Sequence, residues 1–273
     1  MSVGSLSRAR AVRRSVAALS LIALLAVVAA PVVGPHRGLL GTRGAEQGSS
    51  RKGLSSLPLA AQGPVSAALG ADDPAYRVRG RDALYALNPS QRSRVSFTRS
   101  GVRVSVARSW LSLALAGAGY GSSVRPLREA WPRARANRVQ YGRGAVSEWY
   151  VNGPLGVEQG FTVVRPPAWP GQGPLTLSLA LTGDLRPELG HGGHELVFRG
   201  AHGRAVLRYG ELVATDARGR ALHAWLSLRG ASLLVRVDAR GARYPLRIDP
   251  FIQTAELTAS DGTAGAENTY TAP

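Results

Sequence analysis

Between Leu212 and Pro250 the sequence reads LVATDARGRALHAWLSLRGASLLVRVDARGARYPLRIDP, short apolar alternations separated by glycine-containing turns. Successive side chains of a strand point to opposite faces, so a strict period of two marks a half-buried strand. Leu222, Ala224, Leu226 and Leu228 fall on one face, and Ala221, His223, Trp225 and Ser227 on the other. Leu233, Val235 and Val237, then Tyr244, Leu246 and Ile248, repeat the period. Asp-Ala-Arg-Gly occurs twice, at 216–219 and 238–241. An aspartate that opens a turn accepts a backbone N–H, and the closing glycine tolerates positive φ. The pattern predicts an antiparallel meander.

The same signal extends upstream. Val95 and Phe97, then Val102, Val104 and Val106, alternate across Arg99-Ser100-Gly101, which predicts a hairpin. Leu111, Leu113 and Leu115 continue the pattern until the glycines of GAGYG, 117–121, break it. Residues 138–141, 148–151, 157–163, 175–181, 195–198 and 205–209 bring the expected strands to about a dozen. One short helix is expected over 64–69, residues 75–87 fit either type, and 126–136 reads as an arginine-rich connector holding Trp131. Even strand spacing with hardly a helix implies an all-β fold, an antiparallel sandwich or packed β-sheets. It should occupy 54–250 as one domain or two subdomains.

The amino terminus carries an export signal. Arg8, Arg10, Arg13 and Arg14 precede an apolar run from Val16 to Ala30, which Pro31 interrupts. A basic segment, an apolar core of this length and small residues after it define a secretory signal peptide, expected over 1–29 with cleavage after Ala29. An uncleaved membrane anchor is the alternative. Residues 30–53 read as a flexible spacer and 251–273 as a linker-like tail. There is no cysteine, so an exported domain of this chain has no disulfide framework and must rely on its core. The net charge of +17 would suit a polyanionic partner. Lys52 is the only lysine among 34 basic residues, however, and arginines spread singly through an alanine- and glycine-rich chain fit a GC-rich coding bias.

Three stretches, SEWYVNGPLGVEQGFTVVRPPAWPGQGPLTLSLALTG (147–183), RYPLRIDPFIQTAELTASDGTAG (243–265) and GLSSLPLAAQGPVSAALGADDPAY (53–76), resemble the amino-terminal module of exported bacterial FG-GAP repeat proteins, where it precedes β-propeller-type repeats. The best motifs are Glu158-Gln159-Gly160-Phe161 and Arg247-Ile248-Asp249-Pro250, the latter handing over to the first repeat in that family. The resemblance implies a non-catalytic structural or interaction module at the cell surface. After SDGTAG the family continues with a Phe-Gly pair, whereas here Ala266-Glu267-Asn268-Thr269-Tyr270 follows. The expectation is therefore a leader domain without its repeats, through truncation or a frame shift, and the family's calcium loops carry over to no residue.

Candidate chemistry is sparse. His191, His194 and Glu195 in LGHGGHE have zinc-capable donors but no third ligand at motif spacing, so a solvated turn is the expectation. If residues 152–156 form a turn and Val151 faces Val157, then Tyr150 faces Glu158 and Glu148 lies diagonally on the same face, the geometry of a glycosidase pair. The competing reading pairs both carboxylates with arginines such as Arg138 or Arg143. Trp149, Tyr150, Trp169 and Trp225 fit either a carbohydrate-stacking platform or core packing. His223 and Asp216 lack a nucleophile elbow to serve. Asp216, Asp238 and Asp261 read as turn residues, not calcium ligands. No nucleotide-binding motif occurs. We expect no enzyme, cofactor or metal, and the partners considered are envelope polymers, carbohydrate or another surface protein.

Overall fold

The computed structural model describes residues 53–54, 56–167 and 171–255. The expected signal segment, most of the expected spacer, Trp169, Asp261 and the residues from 256 onward lie outside the described residues. The fold is an all-β antiparallel sandwich of two eight-stranded sheets. Its elements are α1 (Leu59–Asp72), β1 (Leu84–Asn88), β2 (Ser93–Thr98), β3 (Gly101–Val106), β4 (Ser109–Tyr120), β5 (Ser123–Pro126), β6 (Arg133–Arg135), β7 (Arg138–Arg143), β8 (Val146–Gly153) and β9 (Gly156–Val163). They continue with β10 (Leu175–Gly183), β11 (Arg186–Leu189), β12 (Leu196–Arg199), β13 (Ala205–Thr215), β14 (Ala224–Arg229), β15 (Ser232–Val237) and β16 (Leu246–Thr254).

The first sheet runs β1-β2-β3-β4-β10-β15-β14, with β5 also on β4; the second runs β11-β12-β13-β16-β9-β8-β7-β6. Alternation places Val95, Phe97, Val102, Val104, Leu111 and Leu113 on the inner face of the first sheet. Val139, Tyr141, Tyr150, Phe161, Ile248 and Tyr209 meet them from the second, in a single apolar core. Phe97 and Tyr150 touch across the sheets edge to face, 5.6 Å between centroids, a favoured aromatic geometry.

The predicted hairpin at Arg99-Ser100 is present, Thr98 pairing with Gly101. The predicted meander is not a single one. The β14–β15 hairpin belongs to the first sheet, while β13 and β16 pair with each other in the second. The two Asp-Ala-Arg-Gly turns are the corners where the chain changes sheet, and they lie side by side: Arg243 N donates to Asp216 Oδ2 and Ala217 N to Arg243 O. The turn chemistry is as expected. Asp216 accepts from Arg218 N and Arg220 N, Asp238 accepts from Arg240 N, and Gly219 and Gly241 have φ of 76° and 63°.

Three other expectations are corrected. GAGYG interrupts the alternation, the ladder to β10 shifting register between Leu115 and Gly117, but it does not end the strand there: β4 runs on to Tyr120, and β5 folds back on it so closely that a Cβ on Gly119 would stand 2.0 Å from Ser123 O. The helix begins at Leu59, well before Pro64, since it is held by packing instead of propensity. A Cβ on Gly70 would lie 2.2 Å from Asn152 O, so helix and strand backbones touch. The tail does not begin at residue 251, because Phe251 and Ile252 are buried in β16. Pro250 is tolerated there because the β13 ladder is interrupted opposite it, between Gly210 and Val213, where no N–H is needed. The short strands β5, β6 and β11 were not expected.

Candidate functional site

The β8–β9 hairpin carries both carboxylates of the supposed pair, and its register corrects that geometry. Gly153 pairs with Gly156 around a two-residue turn, so Asn152 faces Val157, Val151 faces Glu158 and Glu148 faces Phe161. This is one residue away from the expected pairing. Because side chains alternate, a slip of one moves a residue to the other face. Glu148 points into the core and Glu158 to the outside of the sheet, so they cannot flank one bond.

Inside, Glu148 is 1% exposed and accepts from Tyr150 Oη at 2.7 Å, Gln159 Nε2 at 3.0 Å and Arg143 Nη2 at 3.4 Å. Gln159 Nε2 also donates to Tyr150 Oη, and Tyr209 Oη donates to Gln159 Oε1. Burial pushes the Glu148 carboxyl up, against the pull of Tyr150 and Arg143. Burial and the neighbouring Glu148 push the Tyr150 and Tyr209 phenols up as well, so both stay protonated donors. The group is a buried polar network that ties strands β7, β8, β9 and β13 of the second sheet to one another on their inner face, with Arg143 Nε left without a hydrogen-bond partner.

Outside, the Glu158 side chain is 5% exposed and pairs with Arg247 Nη2 at 3.4 Å, while Arg247 Nε reaches Asp249 Oδ2. Burial, reinforced by Asp249, raises the Glu158 carboxyl to about 7, against Arg247 and Arg138. Burial likewise raises Asp249 to about 6. Helix α1 covers this cluster, a Cβ on Gly63 falling 3.0 Å from Glu158 Oε1. A pocket of about 220 Å³ remains beside it, lined by Glu158, Glu211, Asp249, Arg247 and the helix. Trp149 is gripped between Arg138 and Arg247, whose guanidinium carbons stand 4.3 and 5.0 Å from its ring centroid. Each carboxylate of the expected pair is thus taken up by an arginine, Glu148 by Arg143 and Glu158 by Arg247.

Three asparagines tie α1 and β1 to this hairpin. Asn152 Nδ2 donates to Tyr76 O and Leu87 O, Asn88 Nδ2 to Asn152 Oδ1, and Asn137 Nδ2 to Ala67 O and Asn152 O.

The other sequence candidates are scattered. His191 and His194 sit exposed on a turn, and Glu195 is engaged by Arg208 at 2.8 Å. Among the described residues no three His, Cys, Asp or Glu side chains are grouped to hold a metal. Trp149 and Tyr150 face opposite sides of the second sheet, and Trp225 stacks on His223 in the first, so no common platform forms.

A surface that sequence reasoning passed over lies on the outer face of β1–β4. Arg94 stacks over Tyr85 at 4.3 Å, Arg103 over Trp110 at 3.9 Å, and Arg99 over Trp131 at 4.8 Å. Trp131 is 68% exposed. The available signal was a local one: residues 83–128 hold seven arginines and no aspartate or glutamate.

No protein-family model matches the chain, and no curated protein is similar to it.

Proposed function

We propose that this chain is a non-catalytic structural and interaction module of an exported bacterial surface protein, of the kind that precedes FG-GAP-type repeats. One observation carries the reading. The three stretches that resemble such modules meet in one place, α1 lying over the β8–β9 hairpin and β16 pairing with β9. They form one structural unit, which supports reading them together. The end of β16 is clamped, Thr254 N and Oγ1 both donating to Gln91 Oε1, which suits a module that hands the chain on in a fixed direction. The glycosidase alternative has lost the paired carboxylates that motivated it.

The test is to express the full chain with a carboxyl-terminal tag in a bacterial host, fractionate the cells and sequence the recovered amino terminus. Recovery outside the cytoplasm, beginning at Ala30, is the expected result. Retention in the cytoplasm overturns the exported module. Turnover of a polysaccharide that Glu148→Gln or Glu158→Gln abolishes overturns the non-catalytic assignment.

A further inference from the structure

We propose that the outer face of β1–β4 binds an anionic polysaccharide, held through Arg94, Arg99 and Arg103. The inference rests on the interaction-module reading above and gives that module's partner a chemistry.

Strand register builds the face. Tyr85, Ser96, Arg103, Ser112 and Thr182 form one row across β1, β2, β3, β4 and β10. Arg94, Ser105 and Trp110 form a second row. At the usual strand separation the first row spans about 19 Å, long enough for several sugar units. Arg94 and Arg103 stand on neighbouring strands, two positions out of register, roughly 7–8 Å apart. Two shallow hollows of about 500 Å³ each run along the face and share Ser96 and Thr98; the one beside Tyr85 is lined by Arg81, Arg94 and Arg99 against a single acid, Asp82.

Charge selects the partner. Among the described residues neither Arg94 nor Arg103 has an acidic partner, and the nearest carboxylate to Arg99, Glu129, is 3.9 Å away with both side chains half-exposed. Each arginine is instead stacked on an aromatic ring. Stacking occupies the flat side of the guanidinium and leaves its N–H edge towards solvent, Arg103 Nε making only a long 3.5 Å contact with Ser112 Oγ, and such an edge grips a carboxylate through two parallel hydrogen bonds. A guanidinium already held by a ring loses little further freedom on binding. The serine and threonine hydroxyls between the arginines offer neutral donors and acceptors to sugar hydroxyls. A single-stranded nucleic acid needs bare aromatic faces on which bases stack. Here the rings of Tyr85 and Trp110 already carry an arginine, which favours the polysaccharide.

The experiment measures binding of the full chain to polygalacturonate by titration calorimetry at several salt concentrations, with neutral dextran and single-stranded DNA as comparison polymers. Binding to polygalacturonate that weakens with salt is expected, with weaker binding to DNA and none to dextran. Arg94→Gln/Arg103→Gln should lower the affinity at least tenfold and flatten the salt dependence, and Arg99→Gln should lower it severalfold. Arg204→Gln/Arg218→Gln removes the same charge elsewhere and should change the affinity less than twofold. Equal losses in the two double variants, tighter binding to DNA, or no binding to polygalacturonate would each overturn the proposal. Because the assay is made in vitro, these failures leave the export reading standing, and cytoplasmic retention leaves the binding result intact. The thermal melt of each variant confirms that it is folded, and Arg99, in an exposed turn, provides a readout independent of the strands.

Discussion

Gly160→Ala should be among the most damaging single-methyl additions available in this chain. Gly160 faces Trp149 across the β8–β9 ladder, and a Cβ there would stand 1.9 Å from Trp149 Cζ2 and 2.2 Å from Cε2. The indole has nowhere to retreat. It is 2% exposed, lies between Arg138 and Arg247, and donates its N–H to Thr162 Oγ1 at 3.3 Å. Overpacking a filled site costs about 1–3 kcal/mol. Pushing the ring aside also weakens two arginine stacks at about 0.5–1 kcal/mol each and a hydrogen bond at about 1 kcal/mol. A destabilisation of about 3 kcal/mol is therefore expected, a fall in Tm of roughly 10 °C for a chain of this size. A double-mutant cycle by urea denaturation isolates the cause. Trp149→Ala alone should cost about 3–5 kcal/mol for the lost aromatic. In that background Gly160→Ala has room, and alanine in a strand interior outdoes glycine by about 0.5–1 kcal/mol, so the second substitution should cost nothing or stabilise slightly. The expected coupling is thus about 3 kcal/mol between the two sites. An equal cost for Gly160→Ala in both backgrounds would refute the claim that Trp149 dictates glycine at 160.

Two further expectations concern ionisation. Glu158 and Asp249 bind protons more tightly folded than unfolded, with carboxyls at about 7 and 6 against ordinary values of 4.5 and 3.8, so stability should fall as pH rises from about 5 to 8. Urea titrations at those two pH values should show a smaller fall in Glu158→Gln, and unchanged slopes would contradict the assignment. Asp216 is the opposite case: despite partial desolvation, the backbone N–H groups of Arg218, Arg243 and Arg220 hold its carboxyl at about 2. Its contribution is present above about 4 and lost as pH falls towards 2, so Asp216→Ala should lower Tm clearly at pH 7 and little at pH 2. Asp238→Ala should lower Tm less than Asp216→Ala, because the partners of Asp238 lie within its own turn while Asp216 joins two corners.

Local chemistry was legible and partner choice was not. The Asp-Ala-Arg-Gly turns could be read because an aspartate, two backbone N–H groups and a glycine act within five residues. Whether such a turn closes a hairpin or a corner between sheets depends on which sheet accepts the next strand, and alternation looks the same in either. The carboxylate pair failed on a single step of register. Asn152 reads as a turn residue, yet its side chain is spent on Tyr76 and Leu87, and those contacts from outside the hairpin carry strand pairing on to Gly153 and Gly156. The arginine-aromatic face was missed for a different reason. Its positive charge is modest at every position, and only the absence of acids across 83–128 marks it.

The motif Glu158-Gln159-Gly160-Phe161 looks like a functional signature, and the structure gives each residue a separate structural task. Glu158 binds Arg247 of the opposing motif on the outer face, and Gln159 joins Glu148, Tyr150 and Tyr209 inside. Gly160 makes room for Trp149, and Phe161 fills the core opposite Ile248. Arg247-Ile248-Asp249-Pro250 complements it on the neighbouring strand, Arg247 reaching both Glu158 and Asp249. Four consecutive positions thus alternate between two faces with four different demands, and such a run resists substitution without touching any ligand. A side chain already committed on all sides cannot also recognise a partner without breaking the contacts that hold it. Groups free to do so must be those whose own charge the fold leaves unanswered. Arg94 and Arg103 on the first sheet meet that condition among the described residues, whereas the charges of Glu158 and Asp249 are answered by Arg247, even though Asp249 Oδ1 has no hydrogen-bond partner.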